Sequence, residues 1–490
     1  MKGRSATLSA FWVILALAVS LRVLGLDKSL WSDECGSVSQ AQASSFLQGA
    51  RQDDHPPLYF AVLRSAMAFT RSFPVLRLVS VAFGLAAIAA MMLQFPGLGG
   101  VLAALLVACS PEFTYHAQEL RPYALLFLLM TLCLGFSQRL LDGTANTREA
   151  AWASVALALA VSTHLCTVFF AASLATVAVV RRCRARTLGV PALVLVFLPA
   201  AALFLFFDGV FLLHANKQAG MWWIPATHMG AILQMLATAT GWSSISWIAD
   251  ACGRHFRGGG LIVTTLAAAA VGIVFVTALA HRAAGRARAL AGVAFLYWAL
   301  AILYSVWVAP IIIPRILLPG AIALYLALGL GVAAQPAARW RRGSTCLLVL
   351  IALALSVPWI RGGWRSTEDV RGMVQCVMKE AAVGDHAILM SHSAMAFQVY
   401  WPAYEATLRV TRASPQDNQG ENFWNVGRNE VGEGREGRVF LVYRRDNYYA
   451  LRQDAVSDIG RGLEAGGFVG TPLWDKDYYS VEVYTRRRGQ

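Results

Sequence analysis

Carboxylates and imidazoles are concentrated in a few segments that adjoin apolar runs of this chain. The first segment is LWSDE, in which Asp33 and Glu34 are neighbours. A carboxylate here could remove a proton from a substrate hydroxyl. It could equally begin a helix, with Ser32 as the cap and the acids favouring the helix dipole. The residue types alone leave both interpretations open.

A second segment, RQDDHPPLYF at residues 51–60, combines acids with an imidazole and a phenol. Two prolines follow Asp54 and His55 directly and hold the backbone out of helical geometry at this turn. A carboxylate and an imidazole on a stiff turn could bind a divalent cation or move a proton. Tyr59 follows on the same segment as a candidate substrate contact.

A third segment, EFTYHAQELRPYA at residues 112–124, lies between two apolar runs. Ionisable groups this close to bilayer depth indicate a functional site, although a Glu119–Arg121 pair could simply neutralise itself. The candidate substrate-binding residues of this segment are His116, Glu119, Arg121 and Tyr123.

Two further cations are candidates for binding a phosphate. Lys217 lies in HANKQAGMWWIP, beside two tryptophans that are typical of a membrane interface. Arg315 lies in VAPIIIPRILLPG, where it could instead extend to lipid headgroups.

The composition places these segments in a membrane protein. Hydrophobic residues make up 57% of the 490 residues and charged residues only 14%, whereas soluble proteins carry roughly a quarter charged residues. Much of the net charge of +14 lies in arginine clusters at 181–186, 282–288 and 339–342, between apolar runs. Such clusters indicate cytoplasmic loops rather than binding of nucleic acid.

Apolar runs near the ~20 residues needed to cross a bilayer predict about eleven transmembrane helices. These are expected at 7–26, 75–94, 97–111, 122–140, 150–164, 166–181, 187–207, 259–280, 290–308, 311–334 and 344–360. The first is interpreted as an uncleaved signal-anchor. The apolar segment 58–70 is interpreted as an interfacial helix and 228–248 as interfacial or re-entrant, because an odd number of spans then places all three arginine clusters and the N-terminus inside.

With these eleven spans and the N-terminus inside, the loops 27–74, 112–121 and 208–258 lie on the outer face of the membrane. We therefore predict a transmembrane domain over residues 1–362 and a soluble α/β domain over residues 363–490 on the outer side. The expected elements of the soluble domain are helices at 368–382 and 452–466 and strands at 384–390, 438–443 and 479–484.

Five motifs in order resemble the GT-C glycosyltransferases: SLWSDE, DDHPPLYF, PVLRLVSVAFG, SPEFTYHAQELRPYALL and PRILLPGAIALYLALGLG. The most similar branch is the family 39-like one, with protein O-mannosyltransferases and the aminoarabinose transferases of lipid A. The resemblance implies the GT-C fold in a bacterial inner membrane. It also implies inverting transfer of one sugar from a polyprenyl-phosphate donor to an acceptor hydroxyl on the periplasmic face.

Motif by motif, the resemblance implies that Asp33 is the catalytic base and that Asp54 is the second catalytic carboxylate. Glu34 is left to support the helix start. Some relatives bind a metal at the second motif, so a divalent cation held by Asp54 and His55 is the one cofactor considered. The sequence departs from the family at Ile316, where an aromatic residue often follows the arginine.

The expected partners are the lipid-linked sugar donor, a glycan, lipid or protein acceptor, and membrane lipids, without nucleic acid. One alternative is a transporter or flippase for a lipid-linked sugar, although no internal repeat typical of transporters is visible. The other alternative is an oligosaccharide ligase of the same fold.

Overall fold

The structure, a computed structural model, describes residues 2–43, 55–142, 144, 146–185, 190–207, 224, 228–242, 244, 272, 276, 279–281, 284–363, 368–390, 393–413, 437–444, 450–476 and 478–486. The chain forms two compact units. The first contains Met1–Leu26 and Leu47–Trp364, and the second contains Asp27–Phe46 and Arg365–Gln490. Residues 27–46, which the sequence analysis assigned to an outer loop of the membrane domain, thus group with the C-terminal residues.

The first unit is helical throughout its described part. Its helices are α1 Lys2–Val23, α3 Leu58–Met67, α4 Phe73–Gln94, α5 Leu98–Cys109, α6 Pro111–His116, α7 Tyr123–Phe136, α8 Gln138–Asp142, α9 Thr147–Val161, α10 Thr167–Ala185, α11 Val190–Phe207, α12 Met229–Ala239, α13 Gly285–Trp307, α14 Pro314–Ala333 and α15 Ala338–Pro358, with α2 (Ser32–Gln42) in the second unit. A π-helical turn, Trp359–Gly363, follows α15.

Six helical segments of the described residues are long and apolar enough to cross a membrane. They are Phe73–Gln94, Tyr123–Asp142, Val190–Phe207, Gly285–Trp307, Pro314–Ala333 and Ala338–Gly362. The chain is therefore a polytopic α-helical membrane protein, as predicted. Each of the other predicted spans also contains a helix, except 259–280, most of which lies outside the described residues.

The apolar segments interpreted as interfacial are short helices. Helix α3 has 10 residues and α12 has 11. At 1.5 Å per residue each is about 15–17 Å long, roughly half the hydrocarbon core of a bilayer. Neither helix is long enough to span the membrane, in agreement with the prediction.

Two of the predicted cytoplasmic arginine clusters meet at one carboxylate. Asp142, at the end of α8, bonds Arg181 at 3.3 Å and Arg286 at 2.8 Å. Arg181 also donates to the carbonyl of Gly285 at 2.7 Å. The clusters at 181–186 and 282–288 therefore lie at the same end of the helical unit, as the parity argument requires.

The end of α1 is tied to neighbouring helices through its last carbonyls. The side chain of Gln118 donates to the carbonyls of Arg22 and Leu24, at 2.7 Å each. Arg22 is buried and donates to the carbonyl of Ala108 at 3.1 Å, near the end of α5. Helix α1 is thus packed as an integral helix of this unit.

Helices α5 and α14 approach so closely that only glycine fits at their contact. A Cβ atom on Gly329 would overlap the carbonyl oxygen of Gly99 and lie 3.1 Å from the backbone nitrogen of Ala103. Backbone atoms cannot move aside cheaply, and such small-residue contacts let membrane helices pack tightly.

Replacement of Gly329 by Ala is therefore expected to destabilise the folded protein by about 1–3 kcal/mol. Thermal unfolding of the detergent-solubilised protein measures the effect. Gly343→Ala on α15 is the matched control, because no described atom lies within 4 Å of its added Cβ. The control is expected to be neutral or stabilising by up to about 1 kcal/mol. Equal melting temperatures for the two variants would contradict the close approach.

The second unit contains a five-stranded mixed sheet. Its strands are β1 His386–Met390, β2 Arg409–Ala413, β3 Val439–Arg444, β4 Phe468–Lys476 and β5 Tyr479–Arg486, in the order β2-β1-β3-β5-β4. Strand β1 pairs in parallel with β2 and β3, with His386 opposite Arg409 and Val439. The pairs β3–β5 and β5–β4 are antiparallel.

Helices cover the central strands of this sheet. They are α16 Val370–Glu380, α17 Ser393–Tyr400, α18 Tyr404–Thr407 and α19 Ala450–Ala465. Ile459 and Leu463 of α19 pack on Ile388 and Leu441 in one core cluster. Every residue of β1 is buried, as expected for a parallel strand covered on both faces. The predicted small α/β domain is confirmed, including all five elements expected from the sequence.

Candidate functional site

A cavity of about 500 Å³ lies within the first unit, lined mainly by residues 164–172, which lead into α10, and 300–316, which run from α13 to the start of α14. Most of its lining is apolar, including Phe169, Leu300 and Ile311. Its polar lining includes residues from four separate parts of the chain: His55, Tyr123, His164 and Arg315. The cavity is therefore an apolar pocket that also presents a cationic and aromatic group of side chains.

Tyr123 is the residue around which this polar group is arranged. Its ring centroid lies 4.7 Å from that of His116 and 5.4 Å from that of His164. The guanidinium carbons of Arg121 and Arg315 lie 6.0 Å and 5.9 Å from the same ring. Cation–π contacts of this kind hold both arginines near one buried ring.

His55 is held in place by contacts with two other segments. The N–H of Leu58, at the start of α3, donates to the carbonyl of Ser162 at 3.0 Å. The rings of His55 and His164 then meet edge to face, 4.9 Å apart. Arg121 donates from Nη2 to Nε2 of His55 at 3.1 Å. Nε2 must accept this bond, so His55 is neutral and carries its proton on Nδ1.

His164 belongs to this group, although the sequence analysis did not single it out. It is 4% exposed, and its Nδ1 accepts the N–H of Cys166 at 3.1 Å. His164 is therefore a neutral imidazole with its proton on Nε2. The available signal was the polar stretch Ser162–His164, which separates α9 from α10 in an otherwise apolar region.

The carboxylates of the third segment face His116. Glu119 is fully buried, and its Oε2 lies 2.6 Å from Nδ1 of His116. Oε2 of Glu112 lies 3.9 Å from Nε2 of the same ring. His116 therefore links two acids of this segment to Tyr123, and through it to the two arginines.

Arg315 occupies the first turn of α14, directly after the proline that begins the helix. Proline is favoured at this position, but a cation is opposed by the helix dipole. The side chain of Trp298 donates to the carbonyl of Leu317 at 2.9 Å, which fixes this turn against α13. A cation kept at a helix start, despite the helix dipole, suits an anionic ligand.

Of the remaining predicted site residues of the first unit, the structure describes Tyr59 alone. Tyr59 is buried, its hydroxyl lies 3.0 Å from that of Ser80, and it is not among the described residues that line the cavity. Asp54 and Lys217 lie outside the described residues, as do Trp222 and Trp223. Their functional roles therefore stay predictions.

Asp33 lies in the second unit, as the second residue of α2. The N-cap of α2 is Trp31 rather than Ser32, since Trp31 has extended backbone angles and its carbonyl accepts the N–H of Cys35 at 3.1 Å. Glu34 is fully buried and accepts the N–H of Trp31 at 3.3 Å. Glu34 thus supports the helix start as predicted, and Asp33 is half-buried.

The group around Tyr123 is suited to hold an anion that carries an apolar chain. Two guanidinium groups supply positive charge, and neutral imidazoles can supply further donors. The apolar cavity walls can shelter a hydrocarbon chain from water. A phosphate at the end of a lipid has both properties.

No family model matches the chain, and no curated protein matches it. Among solved structures, ArnT from Cupriavidus metallidurans bound to undecaprenyl phosphate matches with 13% identity and a TM-score of 0.46, over 96% of this chain and 97% of that one. The same protein in the apo state matches with 12% identity and a TM-score of 0.42, over 98% of each chain. ArnT is a GT-C family lipid A aminoarabinose transferase, from the branch that the five motifs resemble. With TM-scores below 0.5, the likeness assigns no role to any residue.

Proposed function

We propose that this chain is an inverting GT-C glycosyltransferase that moves a single sugar from a polyprenyl-phosphate donor to an acceptor hydroxyl. The observation that supports this most directly is the apolar cavity that presents Arg315 beside Tyr123, with Arg121 against the same ring. A polyprenyl phosphate is an anion on a long apolar chain, which is the ligand chemistry that this cavity fits.

The reaction requires a base for the acceptor hydroxyl and a group that stabilises negative charge on the leaving phosphate. The acceptor oxygen attacks the anomeric carbon from the face opposite the phosphate, the bond from carbon to phosphate oxygen breaks, and configuration inverts. The hydroxyl proton passes to Asp33, while Arg121 and Arg315 stabilise the charge that develops on the lipid phosphate. Asp54 is proposed to stabilise the oxocarbenium-like carbon.

We further propose that the cavity faces the outer side of a bacterial inner membrane. Tyr123 begins the 20-residue helical segment that ends at Asp142, roughly 30 Å away along the axis. Asp142 bonds the arginine clusters, which favour the cytoplasmic side. The polar group around Tyr123 then lies near the opposite, periplasmic surface, where a sugar donor carried by a lipid is accessible.

Asp54 and His55 are the proposed metal pair, and His55 is the member that the structure describes. The surroundings of His55 do not favour a divalent cation. Nε2 of His55 already accepts a bond from Arg121, and Arg315 lines the same cavity. Two guanidinium groups repel a divalent ion. No group of three or more metal-binding side chains occurs among the described residues, which do not include Asp54. A divalent cation therefore stays a prediction of the sequence, and the reaction above is written without it.

A transfer assay with the purified, reconstituted protein tests the function. Wild type is expected to cleave a polyprenyl-phosphate sugar, to release polyprenyl phosphate and to glycosylate an added glycan, lipid or peptide acceptor. Parallel reactions with EDTA test the metal. Movement of intact donor across liposomes without cleavage would support the flippase alternative and reject the enzyme. Transfer of preassembled oligosaccharides in preference to single sugars would support the ligase alternative.

A further inference from the structure

The first turn of α2, which carries Asp33, is held by two charged residues from distant parts of the second unit. Oε2 of Glu368 accepts the N–H of Ser32 at 3.1 Å. Nη1 of Arg444 donates to the hydroxyl of Ser32 at 3.0 Å, and its Nη2 lies 3.0 Å from Oε1 of Glu368. The three residues form a closed set of charge-assisted bonds next to Asp33.

The backbone that leads into α2 is fixed from the same unit. The N–H of Leu30 donates to the hydroxyl of Tyr400 at 2.7 Å. The backbone N–H of Arg371 donates to the hydroxyl of Ser29 at 2.9 Å, and its guanidinium donates to the carbonyl of Lys28 at 3.0 Å. The chain is therefore tied to the C-terminal residues at successive positions before Asp33.

The ion pair of Glu368 and Arg444 is largely buried, so its charges interact strongly with each other and with their neighbours. The side chains of Glu368 and Arg444 are 5% and 18% exposed. Burial raises the pKa of the Glu368 carboxyl, Arg444 opposes that shift, and the nearby Asp33 charge adds to it. Arg444 thus offsets the repulsion between two neighbouring carboxylates. Removal of Arg444 would leave the buried Glu368 carboxylate without this compensating positive charge, which is destabilising locally.

We propose that Glu368 and Arg444 are positioning residues that fix the first turn of α2 and so orient the carboxylate of Asp33. The C-terminal residues then contribute to transfer by holding the catalytic base rather than by contacting the donor. This inference rests on the proposed role of Asp33 as base. Proton transfer needs a base held within hydrogen-bond distance of its target, so a small displacement of α2 lowers the rate.

Cys35 provides a reporter of α2 that does not depend on activity. Its thiol is fully buried, forms no disulfide with another described cysteine, and lies two residues after Asp33. In the full-length protein, Arg444→Met is expected to speed alkylation of Cys35 on the order of tenfold, measured by mass spectrometry of its peptide. Arg444→Lys, which retains the positive charge, should recover part of the protection. Glu405→Gln removes the negative charge from a 2.8 Å ion pair with Arg412 between exposed side chains, and this matched control should leave Cys35 protected.

Kinetics separate positioning from a general loss of stability. Arg444→Met is expected to lower kcat about 10–100-fold with the donor KM within about twofold of wild type. In the Asp33→Asn background the same change should have almost no further effect, because the base it orients is already absent. Glu405→Gln should retain wild-type kcat.

Unchanged Cys35 alkylation, or an equal loss of kcat in both backgrounds, would overturn the positioning role. If Asp33→Asn itself retains full transfer, Asp33 is not the base. Glu368 and Arg444 would then have no base to position. Faster Cys35 alkylation in Arg444→Met would then still show that the pair holds α2. The two failures are thus distinguishable.

Discussion

Replacing Asp33 by Asn is expected to slow sugar transfer about 10²–10⁴-fold, the usual contribution of a general base. The substitution keeps the size of the side chain but removes its ability to take the proton of the acceptor hydroxyl. Initial rates of product formation at saturating donor and acceptor measure the effect as a loss of kcat. Asp54→Asn is expected to slow the reaction as well, through the developing charge at the anomeric carbon.

Asp27→Asn is the matched control for Asp33. Asp27 is exposed, lies in the same compact unit, and undergoes the same chemical change. We expect transfer by this variant to stay within about twofold of wild type, as is usual for exposed positions without special contacts. Full activity of both Asp33→Asn and Asp54→Asn would show that the catalytic carboxylates lie elsewhere.

Replacing Arg121 or Arg315 by Met is expected to lower kcat/KM about 10²–10³-fold, because each would remove a positive charge aimed at the departing phosphate. The two changes should also weaken inhibition by free polyprenyl phosphate, the released product. Inhibition constants give a readout of phosphate binding that is separate from the chemical step. A combined loss smaller than the product of the single losses is expected, since both arginines lie against the ring of Tyr123.

Arg148→Met is the control for these arginines. Arg148 is exposed on α9, outside the residues that line the cavity, and its loss removes the same charge. Its expected transfer rate and inhibition constant match those of wild type. If Arg315→Met also behaves like wild type, Arg315 contacts lipid headgroups at the membrane surface and does not bind the donor phosphate.

Most helices of the membrane unit followed from hydropathy alone, since a lipid environment demands long apolar runs with internally bonded backbones. The missed strands have physical reasons. The sequence of β2, RVTRA, is mostly polar, because the strand lies at an edge of the sheet. Strand β4 contains Gly470 and Pro472 and has a register shift near that proline, so its pattern does not alternate.

The candidate site was predictable only where its residues are close in sequence. His116, Arg121 and Tyr123 lie within eight positions, and short loops keep such residues together. The approach of Arg315 to Tyr123 depends on how α14 packs, which no local pattern encodes. His164 was overlooked because it ends an apolar run and resembles a buried helix residue. The contacts of Ser32 with Glu368 and Arg444 span more than 330 positions and had no sequence signal.

The grouping of residues 27–46 with the C-terminal residues changes what counts as an exchangeable module. A cut after residue 364 would separate α2 from α17, the helix against which it packs. A hybrid that received the C-terminal domain of a relative would also need that relative's residues 27–46, since Ser32 is matched to Glu368 and Arg444. Recombination among such enzymes would therefore have to inherit two distant stretches of sequence together.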